Sequence, residues 1–92
     1  MPLLPDDEVA VFIESHPAWS WADRSISRTY EFTNFEQAMG FVTRVALVAE
    51  KANHHPDIDI RWNKVRLVLS THSVGGLTEK DLDLANKVDT LA

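Results

Sequence analysis

Apolar residues recur every three or four positions in two segments of the first half of the chain, the spacing that places them on one face of a helix. The first segment lies within residues 5–17, where Asp6 or Asp7 is expected to cap the helix. The second lies within residues 33–53 and has Asn34, a good capping residue, just before its first apolar position. The pattern therefore predicts a short amphipathic helix and, further along, a long one.

A third helical pattern lies near the C-terminus. Its expected start is Thr78, and Asp81 three residues later completes the sequence signature of a capping box. The apolar positions that follow at helical spacing are Leu84, Ala85, Val88 and Leu91. We therefore predict a third helix with Asp81 in its first turn.

Between these helices, apolar and polar residues alternate, which is typical of strands with one buried face. Residues 19–32 alternate with a break at Ala22-Asp23, which predicts either one bent strand or two short strands. A second alternating stretch predicts a hairpin with a turn at Asn63-Lys64 and a half-buried outward strand. The apolar positions of its two strands are Ile58, Ile60, Trp62, Val65, Leu67 and Leu69.

The order of these elements favours an α+β domain: helix, one or two strands, helix, hairpin, helix. Strands joined by a tight turn pair in antiparallel fashion, and the apolar helix faces need a common surface to cover. We therefore expect helices packed on one face of an antiparallel sheet. At 92 residues the chain fits a single domain, residues 1–92.

Composition and charge narrow the range of partners. Hydrophobic residues make up 45% of the chain and charged residues 25%, as in an ordinary globular protein. The formal net charge is −5 and no block of Lys and Arg occurs, so direct binding of nucleic acid is not expected. Cysteine is absent, and the first residues lack the basic start and apolar run of a signal peptide. These features predict a cytoplasmic protein with no disulfide and no membrane segment.

Two adjacent histidines precede a proline at the end of the long helix, in the order Asn53-His54-His55-Pro56. A proline disfavours helical backbone at the residue before it, so the helix should end near Asn53 or His54. Consecutive extended residues point their side chains in different directions. His72 lies at the end of the return strand of the hairpin, which brings it back to the same corner. The sequence thus predicts three imidazoles at one end of the hairpin.

Spacing alone leaves three interpretations of these histidines open. They can be solvated residues that cap helix and strand ends. They can form a three-histidine metal site, although adjacent histidines diverge and no helical pair of ligands is present. They can also act as acid and base without a metal, since imidazole exchanges protons near neutral pH. Asp81 is interpreted first as a cap and second as a carboxylate that orients His72, because Gly75-Gly76 lets the chain double back.

Around these residues the sequence resembles the pterin-4a-carbinolamine dehydratases. The resemblance is close over residues 30–92, and its short motifs are Ala49-Glu50-Lys51, Asn53-His54-His55-Pro56, Thr71-His72, Gly76-Leu77-Thr78 and Leu84-Ala85. The combination of Asn-His-His-Pro with Thr-His at this spacing is highly specific, whereas His-His-Pro alone is not. Ser73 departs from the pattern, since the family often has an acidic residue there.

The resemblance implies a four-stranded antiparallel sheet flanked by helices, in a chain that assembles into a homodimer or homotetramer. It also implies a hydro-lyase that removes water from a 4a-hydroxytetrahydropterin and releases quinonoid dihydropterin. This reaction recycles the tetrahydropterin that aromatic amino acid hydroxylases use. The partner would be a small pterin substrate, and neither a metal nor another cofactor is expected.

The resemblance also places active-site residues on this sequence. The three catalytic histidines of the family match His54, His55 and His72, with His54 and His72 implied in acid/base work and His55 in orienting the pterin. The substrate-binding positions match Asn53, His54, His55, Ser70, Thr71, His72 and Ser73. Asp81 matches an acidic residue beside the third histidine and is implied as the orienting residue.

Two other functions are weighed against the dehydratase. Some relatives act as dimerisation cofactors of a homeodomain transcription factor through helical surfaces, so the chain could instead be a protein-binding module. A metal-dependent enzyme is the third hypothesis. Loss of His54 and His72 separates the first two, because binding of a protein partner should survive it whereas dehydration should not.

Overall fold

The computed structural model describes residues 2–92, which form three α-helices and four strands. In chain order the elements are α1 Asp6–Ser15, β1 Ser20–Ala22, β2 Ser25–Glu31, α2 Phe35–Ala52, β3 Asp57–Arg61, β4 Lys64–Leu69 and α3 Glu79–Asp89. A short 3-10 helix, His72–Val74, lies between β4 and α3. The predicted helices and hairpin are confirmed, and the segment after α1 forms two strands rather than one bent strand.

The four strands form one antiparallel sheet in the order β1-β2-β4-β3. One face of this sheet is buried together with the apolar faces of the helices. The sheet contributes Ile26, Tyr30, Val65, Leu67 and Leu69 to this core, and α2 and α3 contribute Phe41, Val45, Leu84, Ala85 and Val88. Full burial of each large apolar side chain stabilises the fold by about 1.5–3 kcal/mol. The predicted α+β fold, with helices on one face of a four-stranded antiparallel sheet, is confirmed.

Helix α2 is fixed at both ends by asparagine. At its start, the side chain of Asn34 accepts a hydrogen bond of 2.9 Å from the backbone N–H of Gln37, as the capping sequence predicts. At its end, Asn53 adopts left-handed backbone with φ 52°, and its N–H reaches the carbonyls of Ala49 and Glu50. This left-handed residue ends the helix where the sequence predicts and sets the direction of the two histidines that follow.

The start of α1 differs from the prediction. Pro5 occupies the N-cap position, and no side chain caps the helix. Asp6 and Asp7 lie inside the first turn instead, where negative charges interact favourably with the helix dipole. The two aspartates therefore favour α1 through their charge rather than through a capping hydrogen bond.

The β3-β4 hairpin turns one residue earlier than predicted. Arg61 pairs with Lys64, so Trp62 and Asn63 form the turn, and Trp62 is left-handed with φ 52°. The outward strand is less buried than predicted, since Ile58 and Ile60 are 37% and 38% exposed and the polar residues of β3 are exposed as well. β3 is an edge strand of the sheet, and alternation of apolar and polar residues does not distinguish an edge strand from a central one.

The C-terminal end of α3 is tied to the sheet through Asp89. Its carboxylate accepts hydrogen bonds from the indole N–H of Trp19 and the guanidinium of Arg28, each at 2.9 Å, and from the hydroxyl of Tyr30. Burial raises the pKa of Tyr30 above its ordinary value, and the hydrogen bond to Asp89 and the charge of Asp89 act in the same direction. The positive charge of Arg28 opposes them with a smaller effect.

Tyr30→Phe is expected to change how the free energy of unfolding depends on alkaline pH. The folded protein keeps the Tyr30 proton to a higher pH than the unfolded chain does, so unfolding releases a proton above about pH 10. The contribution of Tyr30 is fully present below pH 10 and falls by about 1 kcal/mol per pH unit above it. Urea unfolding at pH 9, 10 and 11 should therefore show the variant losing less stability than the parent protein. Parallel pH profiles would contradict this linkage.

Candidate active site

His54 is held at the end of α2 by its backbone and by its ring. Its N–H donates to the carbonyl of Ala49 at 3.1 Å, and its Nε2 lies 2.5 Å from Oδ1 of Asp81. The side chain is 11% exposed, against 58% for the neighbouring His55. His54 is therefore a partly buried residue with a fixed ring, unlike a solvated loop histidine.

Asp81 lies fully buried in the first turn of α3 and accepts three hydrogen bonds. One carboxylate oxygen accepts a hydrogen bond from Nε2 of His54. The other accepts hydrogen bonds from the hydroxyl of Thr71 at 2.7 Å and from the backbone N–H of Thr78 at 2.9 Å. The last contact is one half of the capping box that the sequence predicts. Asp81 was also expected to orient His72, but its carboxylate contacts His54 instead.

The contact with Asp81 determines which ring nitrogen of His54 can meet a ligand. A carboxylate oxygen accepts hydrogen bonds, so the proton of this pair lies on Nε2 of His54. Within residues 2–92, Nδ1 makes no hydrogen bond, which leaves it able to accept or donate a proton. A carboxylate behind an imidazole fixes the ring and stabilises the imidazolium that forms when the other nitrogen is protonated.

His55 points in a different direction from His54, as the extended backbone predicts. Its Nε2 lies 2.9 Å from Oε1 of Glu50, a residue of the last turn of α2. Both side chains are well exposed, so this pair contributes little to stability, on the order of 0–1 kcal/mol. The two adjacent histidines thus have separate carboxylate partners, one buried and one at the surface.

His72 begins the 3-10 helix rather than ending a strand. β4 ends at Leu69, and Thr71 pairs with Gly76 across the loop that contains His72. Gly75 closes this loop with φ 67°, a conformation that glycine adopts without strain. The side chain of His72 is exposed and makes no hydrogen bond with any residue between 2 and 92. The loop therefore holds a free imidazole at the corner where the sequence places it.

The predicted site residues line one cavity of about 370 Å³. Its walls consist of Asn53, His54, His55, Ser70, Thr71, His72, Ser73 and Lys80. This volume lies within the range of small-molecule sites. All seven predicted substrate-binding positions thus meet at one cavity, and Lys80 joins them without having been predicted.

Two of the lining hydroxyls already have partners within the protein. Ser70 donates to the carbonyl of Arg24 at 2.8 Å, and Thr71 donates to Asp81. Each hydroxyl has one proton, so neither can donate to a ligand without breaking its present bond. Ser70 and Thr71 therefore shape the cavity wall, while no hydrogen bond to another residue between 2 and 92 engages the side chains of Asn53 and Ser73.

Lys80 was not predicted as a site residue, because it lies in the first turn of a helix, where the sequence signals concern capping. It lies between Glu79 and Asp81 in the first turn of α3, where the sequence pattern points to the cap and gives no reason to single out a lysine. The signal that could have found it is its charge. A cation in the first turn opposes the helix dipole, and residues that break a local rule are often found at functional sites.

Metal ligation was one interpretation of the histidines. Among residues 2–92, no group of three or more histidine, aspartate or glutamate side chains is arranged to hold a metal ion.

None of the helices in this part of the chain is long and apolar enough to cross a membrane.

Comparisons with known proteins identify the family to which the chain is similar. The family described as pterin 4 alpha carbinolamine dehydratase matches residues 2–91. A Chloroflexus aurantiacus protein, provisionally named as a pterin-4-alpha-carbinolamine dehydratase, is 52% identical over 91 residues, which cover 99% of this chain and 98% of that protein. A Nocardia farcinica protein with the same provisional name is 50% identical over 90 residues, with 98% and 95% covered.

Solved structures with the same fold include two proteins whose described functions differ. A transcriptional coactivator/pterin dehydratase from Brucella melitensis is 35% identical, covers 99% of each chain and superposes with a TM-score of 0.93. A pterin dehydratase-like protein identified as a RuBisCO assembly factor in the alpha-carboxysome superposes with a TM-score of 0.68 over 80% of this chain and 86% of that one. At 23% identity this second likeness concerns the fold alone. On the strength of the family match and of relatives at about half identity over nearly its whole length, the chain belongs to the pterin 4 alpha carbinolamine dehydratase family.

Proposed function

We propose that the chain is a hydro-lyase that removes water from a 4a-hydroxytetrahydropterin and releases quinonoid dihydropterin, as a step of tetrahydropterin recycling. Family membership supports a pterin substrate and a dehydratase activity. The observation that carries the proposal is the meeting of His54, His55 and His72 at one cavity, with His54 held against a buried carboxylate.

The proposed reaction needs one proton donor and one proton acceptor. The bond between C4a and oxygen breaks as the hydroxyl takes a proton and leaves as water. The adjacent ring N–H gives up its proton, and its electron pair forms the new C=N bond. One imidazole therefore loses a proton while another gains one, and exchange with solvent restores both. Imidazole suits both roles because it titrates near neutral pH.

We assign this acid/base work to His54 and His72. Nδ1 of His54 is available to the ligand, and Asp81 behind Nε2 stabilises the imidazolium form. His72 approaches the cavity from the opposite element, the loop after β4. Because the two rings come from different parts of the chain, they can serve different atoms of one pterin.

The remaining predicted residues bind and orient the substrate in this proposal. The ring of His55 is hydrogen-bonded to Glu50, lines the cavity and orients the pterin. Asn53 offers an amide and Ser73 a hydroxyl to the polar edge of the heterocycle. Asp81 acts through His54 and is a positioning residue.

The proposal is tested by a stopped-flow assay of 4a-hydroxytetrahydropterin dehydration, run with and without a metal chelator. We expect the protein to accelerate the reaction over its spontaneous rate and to keep that acceleration in the chelator. Loss of activity to the chelator, restored by added zinc, would instead support the metal-dependent enzyme. A folded protein that leaves the spontaneous rate unchanged would contradict the enzymatic function altogether.

We propose protein binding as a second candidate function because apolar side chains are exposed on α2 and β3. Leu47 is 68% exposed, and Ile58 and Ile60 are 37% and 38% exposed. Such surfaces favour contact with another protein, whether a second copy in a homodimer or homotetramer or a transcription factor. Dimer formation and a cytoplasmic location stay predictions. Partner binding that survives loss of His54 and His72 would support the module.

A further inference from the structure

Lys80 lies where a lysine is unfavourable for the helix alone. It is the second residue of α3, in the turn where the positive end of the helix dipole repels a cation. Its side chain is half-buried and forms no ion pair within 4.0 Å among residues 2–92. The side chain lines the histidine cavity instead. A partly buried charge without a protein partner is costly unless a ligand compensates it.

The charge of Lys80 is not balanced by any carboxylate in the wall of the cavity. Asp81 lies beneath the wall, fully buried, and all its hydrogen bonds are to the protein. Glu50 pairs with His55 outside the lining. Asp83 and Lys80 both line a smaller neighbouring cavity of about 180 Å³, but the two side chains are not within ion-pair distance of each other. Among the eight residues that line the histidine cavity, Lys80 is thus the only lysine, arginine, aspartate or glutamate, in a chain of net charge −5.

The ring system of a pterin is neutral near pH 7 and offers no anionic group to pair with this charge. We propose that Lys80 makes the cavity select pterins that carry an anionic substituent, such as a phosphate ester on the side chain; this rests on the proposed function. An ammonium group is a compact point charge that suits phosphate oxygens. Ser73 and the imidazoles beside it supply further donors.

The test compares two dihydropterins that differ only by one phosphate group: one with a trihydroxypropyl side chain, and its terminal phosphate monoester. Dissociation constants are measured from pterin fluorescence at low salt. We expect the ester to bind roughly five- to tenfold more tightly, as for a partly exposed charge-assisted contact. In Lys80→Gln this preference disappears, so that the ratio of the two dissociation constants falls to about one. Lys87→Gln, two turns further along the same helix, is the matched control and keeps the preference.

Four results would overturn the proposal. Equal affinity for the two pterins in the parent protein, or a preference that persists in Lys80→Gln, would remove the role of Lys80 and leave the dehydratase intact. Inorganic phosphate that binds as tightly as the ester would mean that the ion is recognised without the pterin. Failure of both pterins to bind the folded protein would instead overturn the proposed function and this inference with it. Displacement of the ester, but not of the neutral pterin, by millimolar phosphate would support the inference.

Discussion

His72→Ala is expected to lower kcat for dehydration by about a hundredfold or more while leaving the free energy of unfolding nearly unchanged. The imidazole of His72 is exposed and makes no hydrogen bond within residues 2–92, so its removal leaves no buried group without a partner. Stopped-flow kinetics and urea unfolding of the same preparation measure the two effects. A variant that folds normally and has lost its activity would identify the side chain with the chemistry.

The fourth histidine of the chain provides the matched control. His16 stacks on Phe12 with ring centroids 3.9 Å apart and bonds to Asn86, and it does not line the histidine cavity. His16→Gln should therefore keep the dehydration rate, although it can lower stability. A rate for His72→Ala within about twofold of the parent would remove His72 from acid/base work, since a proton-transfer group contributes about a hundredfold at least.

The helices, both ends of α2 and the start of α3 were predictable because their signals are local. Asn34, Thr78 and Asp81 act on backbone groups two or three residues away, so the sequence around them contains the whole interaction. The exposure of β3 was not predictable in this way. Ile58 and Ile60 alternate as in a half-buried strand, but their burial depends on whether another element lies beyond β3, which is a property of the sheet order.

The residues of the candidate site also fall into two groups: those that local sequence features place, and those whose contacts depend on how the elements pack. The chain reversal at the hairpin and the left-handed end of α2 are local features, and they suffice to bring His54, His55 and His72 to one cavity. The partner of Asp81 depends on how α3 packs against the end of α2. His72 is the nearer of the two candidates along the chain, yet the 3-10 helix directs it to the surface and Asp81 meets His54. The position of Lys80 in the cavity wall depends on the same packing of α3 against the end of α2.

Asp81→Ala is expected to lower the free energy of unfolding by about 3–5 kcal/mol, a large share of the stability of a domain of this size. The substitution leaves three buried donors without their acceptor: Nε2 of His54, the hydroxyl of Thr71 and the backbone N–H of Thr78. Urea unfolding measures the loss. Asp83→Ala, on the exposed side of the same helix, is the control and should stay within about 0.5 kcal/mol of the parent.

A double-mutant cycle separates the contact with His54 from the capping of α3. If the pair stabilises the fold directly, the loss in His54→Ala with Asp81→Ala should be smaller than the sum of the single losses by about 0.5–3 kcal/mol. Asp81→Asn, which keeps an acceptor for the cap, tests the effect on the chemistry. It should lower kcat in the parent protein and have no further effect on kcat in His54→Ala, because a positioning residue acts only through the ring it holds. An equal fractional loss in both backgrounds would make Asp81 a structural residue alone and leave His54 without its proposed carboxylate partner in the reaction.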